Sequence, residues 1–185
     1  MSVVENKEAQ LLSTGSWLVD PAHSTVEFCV KHMVIHTVRG RFRTFEGAIV
    51  AGAEPFVSGS IRVASLETPH EELDAHLRSP DFFDADRYPE IGFQSGGLQF
   101  DGDDRTFALA GELTIKGVTR PIVLDGELGG AVLGADGRER VALALHGQLE
   151  RSDYGLVWNR VFETGNVLVG DTVDLVLGIA AVRVD

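Results

Sequence analysis

A two-residue alternation of apolar and polar side chains, restarted again and again along the chain, constrains this fold more than any other feature. In Thr25–His32, Val26, Phe28, Val30 and His32 share one face, while Glu27, Cys29 and Lys31 share the other. Successive side chains of a strand point to opposite sides, so the pattern reads as a β-strand with one face to hide. Val57, Ile61 and Val63 oppose Ser58, Ser60 and Arg62 in the same way. Phe107, Leu109, Leu113 and Ile115 oppose Ala108, Ala110, Glu112 and Thr114, and Val141, Leu143, Leu145 and Leu149 oppose His146, Gln148 and Glu150. Further strands are predicted at Trp17–Asp20, Arg39–Arg43, Ile91–Phe100, Val118–Leu128 and Val173–Ile179. Lys116-Gly117 reads as a tight hairpin turn, and Gly47 and Gly52 as breaks, a bulge or a bend, in the segment that follows Arg43. About eight strands, mostly antiparallel and each with one apolar face, predict an all-β fold. A closed eight-stranded barrel removes the sheet edges and gives every apolar face one interior. A two-sheet sandwich is the structural alternative.

One stretch changes period. Thr68-Pro69-His70-Glu71 has the form of a helix start, with Thr68 as cap, Pro69 in the first turn and Glu71 closing a capping box. Leu73 and Leu77 then lie four apart on one helical face, and Ser79-Pro80 ends the helix or begins a turn carrying Phe82 and Phe83. Tyr88-Pro89 forces extended backbone, after which Ile91 and Phe93 restart the strand period. A short helix and an aromatic pair inserted between strands favour the barrel, with the insert closing one end. Arg151–Gly170 reads as a long glycine-spotted connection carrying Tyr154, Trp158 and Phe162.

The totals narrow the partners. At 185 residues, one domain is expected over 16–185, with 1–15 as a loose extension. Sixteen basic and 28 acidic residues give a net charge of −12, which argues against nucleic acid and against anionic membrane surfaces as partners. Cys29 is the single cysteine, so no intrachain disulfide forms. The first ten residues lack the basic and apolar runs of a signal peptide, and no apolar run reaches the roughly 18 residues of a membrane span. A cytoplasmic location is the resulting expectation. Val123 with Val176 forms an outward apolar strip, a candidate homodimer surface or one covered by loops.

Four separated stretches, in order, resemble the YceI-like family. They are Trp17-x-x-Asp20-Pro-Ala-His23 through Val38-Arg39-Gly40-Arg41-Phe42; Asp74-x-His76-Leu77-Arg78-Ser79-x-Asp81-Phe82-Phe83-Asp84 with Tyr88-Pro89; Gly111-x-Leu113-Thr114-Ile115-x-Gly117; and Arg151-x-Asp153-Tyr154-Gly155-Leu156 with Val169-Gly170-Asp171. The resemblance implies an extended lipocalin-like barrel whose interior holds a long apolar ligand, typically a polyisoprenoid chain. Leu73 stands where the family usually has Arg, and Val34 and His36 where it usually has Gly and Ser.

Periodicity by itself leaves a filled and a hollow barrel equally open; the resemblance favours the hollow one. The ligand-binding residues expected to line or close it are Phe28, Val30, His32, Phe42, Leu77, Phe82, Phe83, Phe93, Leu109, Leu113, Leu143 and Leu145. Such a protein is a carrier for a polyisoprenoid, an isoprenoid quinone or a similar amphiphilic lipid, with no cofactor. Two other classes stay open. An enzyme acting on such a ligand would use His32, His36 and Asp74 near the mouth, although no hydrolase, zinc-peptidase, P-loop or dinucleotide motif appears and no metal is assigned. A ligand-free interaction module would use the acidic surface to meet a basic partner. Asp74 and His76, two apart on a helix, point apart, and Asp74 is expected to fix the insert by accepting hydrogen bonds.

Overall fold

The computed structural model describes residues 12–102, 105–160 and 168–185. The chain runs through β1 (Gly15–Val19), β2 (Thr25–His32), β3 (His36–Phe42), β4 (Phe45–Ala51), β5 (Phe56–Arg62) and β6 (Leu66–Glu67) before its single α-helix among the described residues, α1 (Glu71–Arg78). After the helix come β7 (Glu90–Ser95), β8 (Gln99–Phe100), β9 (Thr106–Ile115), β10 (Val118–Leu128), β11 (Val132–Leu133), β12 (Glu139–Glu150) and β13 (Val169–Arg183). Strands β1, β4, β5, β7, β9, β10, β12 and β13 pair in that order, and β13 returns to β1. Every pairing is antiparallel, so these eight strands close into a barrel.

β13 carries two partners along one edge. Its first part pairs with β2 from Val169 to Gly178, and its end pairs with β1 through Ala181–Arg183. β1 and β2 are therefore one strand bent at the 3-10 turn Pro21–His23. Asp20 caps that turn by accepting from the Ala22 amide at 3.1 Å, and Ser24 Oγ accepts from the Ala180 amide at 2.9 Å, so the bend stays attached to β13. The branch β2–β3–β6 widens the barrel at the end from which α1 departs.

The turn chemistry follows the residues. Lys116 and Gly117 take φ of 51° and 75°, the two left-handed positions of a type I′ turn, and Ile115 pairs with Val118 across them. Gly126 faces Phe107 in the register, and a Cβ there would lie 2.2 Å from the Phe107 ring. The ring occupies the space that the missing side chain leaves. At this end of the barrel Trp17, Phe107, Leu128 and Val141 are almost completely buried and form a plug.

Several expectations need correction. Residues 12–15 belong to the fold: Leu12 is buried, and Ser13 Oγ donates to Glu139 at 2.9 Å. The remainder of the expected extension, 1–11, lies outside the described residues, as does Phe162. Gly47 does not break its segment; β4 passes through it, and the Val19 side chain packs where its Cβ would be. Ile91–Phe100 divides into β7 and β8, and the last strand extends to Arg183. The helix starts at Glu71 with His70 at its N-cap position and no side-chain cap, because Thr68 is engaged elsewhere.

Candidate functional site

Thr68 is held by the helix it was expected to cap. Its amide and hydroxyl both donate to Asp74 Oδ1, at 2.8 and 2.5 Å, and its hydroxyl accepts from the His70 amide at 3.2 Å. Both residues are buried. Asp74 thus folds the approach to α1 back over the helix, the structural role expected of it, and its carboxylate is occupied. Asp74→Ala is expected to cost about 2 kcal/mol, since it leaves two buried donors without their charged acceptor. Proteolysis at residues 66–80 should accelerate with it; an unchanged cleavage rate and melting temperature would contradict this role.

With α1 fixed, Leu73 and Leu77 face the barrel interior, and the turn after the helix sends Phe82 and Phe83 to two different aromatic groups. Phe83 meets Phe42 edge-on at 6.0 Å, and Phe42 in turn lies 5.6 Å from Phe28. Phe82 lies 5.4 Å from Trp158, and His76 sits edge-on to both, at 5.1 and 4.6 Å. One short insert thereby joins β2 and β3 on one side and the 151–160 connection on the other.

Between this insert and the Trp17 plug lies a cavity of about 320 Å³, at the small end of the ~300–1,000 Å³ typical of ligand pockets. All twelve residues expected to line or close a cavity border it: Phe28, Val30, His32, Phe42, Leu77, Phe82, Phe83, Phe93, Leu109, Leu113, Leu143 and Leu145. The plug residue Phe107 does not, although it shares a strand face with Leu109. Leu73, Leu124, Trp158 and Arg151 also border the cavity, beyond the twelve residues expected to line or close it.

Polar groups gather at the insert end. His32 is the register partner of Val169, and Arg151 reaches the same place. The Arg151 guanidinium is buried and donates to the carbonyls of Gly170 (2.8 Å), Leu156 (2.6 Å), Trp158 (2.9 Å) and Val169 (3.2 Å). Burial pulls its pKa below the usual arginine value, with the Asp171 carboxylate, 3.7 Å away and largely exposed, opposing the shift. This arginine clamps both ends of the connection and so positions Trp158. The sequence showed both residues, Arg151 in a family motif and Trp158 among the aromatics of the connection, but not their place at the cavity, because an irregular connection has no period to reveal which side chains turn inward.

Of the groups named for an enzymatic site, His32 and His36 are register partners across β2 and β3, whereas Asp74 is turned to the approach of the helix. Asp74 is bonded to Thr68, His36 is exposed, and His76 Nε2 lies 3.0 Å from Asp81. Among the described residues, no three His, Cys, Asp or Glu side chains come together as a metal site, and no helix is long and apolar enough to cross a membrane. Val123 and Val176 are both exposed, but the register places His146 and Gln148 on the strand between theirs.

A closed antiparallel barrel, plugged at one end and enclosing an apolar cavity under an aromatic insert, defines a lipocalin-like fold. The chain belongs to the YceI-like family: the YceI-like domain model matches residues 17–181. A UPF0312 protein of Staphylococcus aureus (strain N315) is 32% identical over 159 residues, which cover 83% of this chain and 90% of the relative. The crystal structure of the Campylobacter jejuni YCEI protein superposes with a TM-score of 0.70 at 32% identity, over 84% of this chain and 90% of that one. Two more distant structures share the fold. BcnA of Burkholderia cenocepacia has a TM-score of 0.75 at 21% identity, covering 88% of this chain and 98% of that one. A polyisoprenoid binding domain from Saccharophagus degradans, implicated in plant cell wall breakdown, has a TM-score of 0.64 at 16% identity, covering 91% and 98%.

Proposed function

We propose that this protein binds and carries a long apolar molecule, a polyisoprenoid, isoprenoid quinone or similar amphiphilic lipid, inside the barrel. The observation that carries the reading is the cavity of about 320 Å³ walled by Val, Leu, Ile and Phe side chains. Burial contributes roughly 0.8 kcal/mol per methylene, so about ten methylenes correspond to micromolar binding before ordering costs. A tight complex therefore needs no strong polar anchor and no cofactor. The polyisoprenoid-binding neighbour supports the ligand class.

The wall is polarised along its length. His32, His76 and Arg151 border the insert end, whereas Leu109, Leu124 and Leu143 border the deeper wall. An amphiphile is oriented with its chain toward the Trp17 plug and its head beside His32 and Trp158. With Leu73 in place of an arginine, the insert itself offers no cation at that point, which favours a neutral head group over an anionic one.

Native mass spectrometry of freshly purified protein, with an organic extract analysed beside it, tests the reading. The expected result is excess mass that leaves with the extract and matches a long apolar chain. A clean apo mass that persists after incubation with isoprenoids would overturn it.

A further inference from the structure

The β2–β3 hairpin leaves its apolar tip in water. Met33, Val34 and Ile35 are 54%, 57% and 85% exposed, and none of them borders the cavity. Met33 and Val34 take φ of 52° and 67°, a left-handed backbone that a β-branched residue rarely adopts. The turn is nevertheless fixed, because the Met33 amide donates to the Leu168 carbonyl at 2.8 Å and the Ile35 amide to the Met33 carbonyl at 2.8 Å. His32 and Leu168, on either side of this anchor, both border the cavity. Val157, 67% exposed, belongs to the connection that Arg151 clamps at the same end. The apolar tip therefore stands beside the insert end of the cavity, as a held feature of the fold.

The hairpin itself differs in charge from the rest of the molecule, although β13 beside it carries Asp171 and Asp174. Between Glu27 and Glu46 the chain has four cationic residues, Lys31, Arg39, Arg41 and Arg43, and no acidic one, within a protein of net charge −12. Arg41 and Arg43 are paired with Glu67. Lys31 donates to the Thr37 hydroxyl at 2.8 Å, and Arg39 Nη1 lies 3.5 Å from Cys29 Sγ, so both meet neutral partners. An apolar tip with cations behind it on long aliphatic stems matches the interfacial region of a bilayer: the tip enters the acyl boundary and the cations meet anionic headgroups. Exposed carboxylates of the insert (Glu71, Glu72, Asp81) and of β13 (Asp171, Asp174) stand back from the tip, so the hairpin with its two cations, and not the whole end, is the part that approaches such a surface.

We infer that the hairpin tip Met33-Val34-Ile35, flanked by Lys31 and Arg39, docks the insert end of the barrel onto an anionic lipid surface, where the apolar ligand is exchanged. The ligand-exchange clause rests on the carrier reading above; the docking itself does not.

Flotation of the purified full chain with vesicles separates the two. With vesicles of equal parts phosphatidylglycerol and phosphatidylcholine at low salt, the wild-type protein is expected to float. Binding should fall at least about tenfold in the double variant Met33→Ser, Ile35→Ser, and comparably in Lys31→Glu with Arg39→Glu or at high salt. Absence of vesicle binding, or binding undiminished in both double variants, overturns the docking surface. So does equal binding to pure phosphatidylcholine, as does loss of vesicle binding with a soluble protein captured by the tip instead. Native mass spectrometry of the tip variants loaded in detergent should show wild-type ligand retention. Vesicle binding by a protein that holds and takes no ligand would sink the carrier reading and its exchange clause while leaving docking in place.

Discussion

Leu143→Arg is expected to leave the barrel folded but unable to retain a long apolar ligand, with affinity reduced at least about 100-fold, or ~2.7 kcal/mol. Leu143 is buried on β12, opposite Leu128 on β10 and Ile179 on β13, and borders the cavity. In the empty variant, water in the cavity solvates the guanidinium. A ligand chain that displaces this water leaves a poorly solvated charge against methylenes, a penalty of several kcal/mol. Val123→Arg is the control, because Val123 lies on the outer face of β10, and its retention should stay at the wild-type level. Far-ultraviolet circular dichroism reports the fold, and native mass spectrometry reports retention. A folded Leu143→Arg that holds ligand as the wild type does would remove Leu143 from the binding surface. Leu143→Trp fills the same space without charge, and its retention should fall by competition for volume alone.

The alternation that made Leu143 visible determines which face of a strand turns inward, and it does so well for regular strands. Thr25–His32 and Val118–Leu128 begin and end where the pattern begins and ends. It does not determine depth. Phe107 and Leu109 lie two apart on one face of β9, yet one plugs the barrel and the other walls the cavity. That difference comes from closure, which brings Phe107 over Gly126 and beside the Trp17 end. The helix start shows a second limit. Thr68 has the form of a cap, but a buried carboxylate six residues later offers its hydroxyl and amide a charged acceptor, so the helix begins only after His70. The end of β13 lost its signal because Gly178-Ile179-Ala180-Ala181 does not alternate, and pairing with β12 and β1 holds it as strand regardless. Leu73 shared a helical face with Leu77 in the sequence and also stood out as a departure from the family pattern, yet it was not counted among the lining residues.

Arg151→Met shows what the sequence hid most completely. The substitution keeps an unbranched side chain of similar reach and removes every donor. Four carbonyls, of Leu156, Trp158, Val169 and Gly170, then lose the charge they share. Hydrogen bonds to a charged group contribute roughly 1.5–3 kcal/mol each, and some of these carbonyls will regain water at the end of the barrel. A net loss of about 3 kcal/mol is expected, or a fall of roughly 6–12 °C in melting temperature for a domain of this size. The effect on ligand should exceed the effect on stability. Trp158 is carried by the segment that Arg151 clamps and closes the His76–Phe82 group, so its release opens the insert end and raises the dissociation rate. Asp171→Asn separates the two ways of stabilising the arginine. The carboxylate is 3.7 Å away and 66% exposed, where an ion pair contributes about 0–1 kcal/mol. Arg151→Met should therefore be the far costlier change, because the guanidinium is held by backbone dipoles and not by its counter-ion. Equal losses in the two variants, measured by thermal denaturation, would assign the clamp to the ion pair and reverse that account.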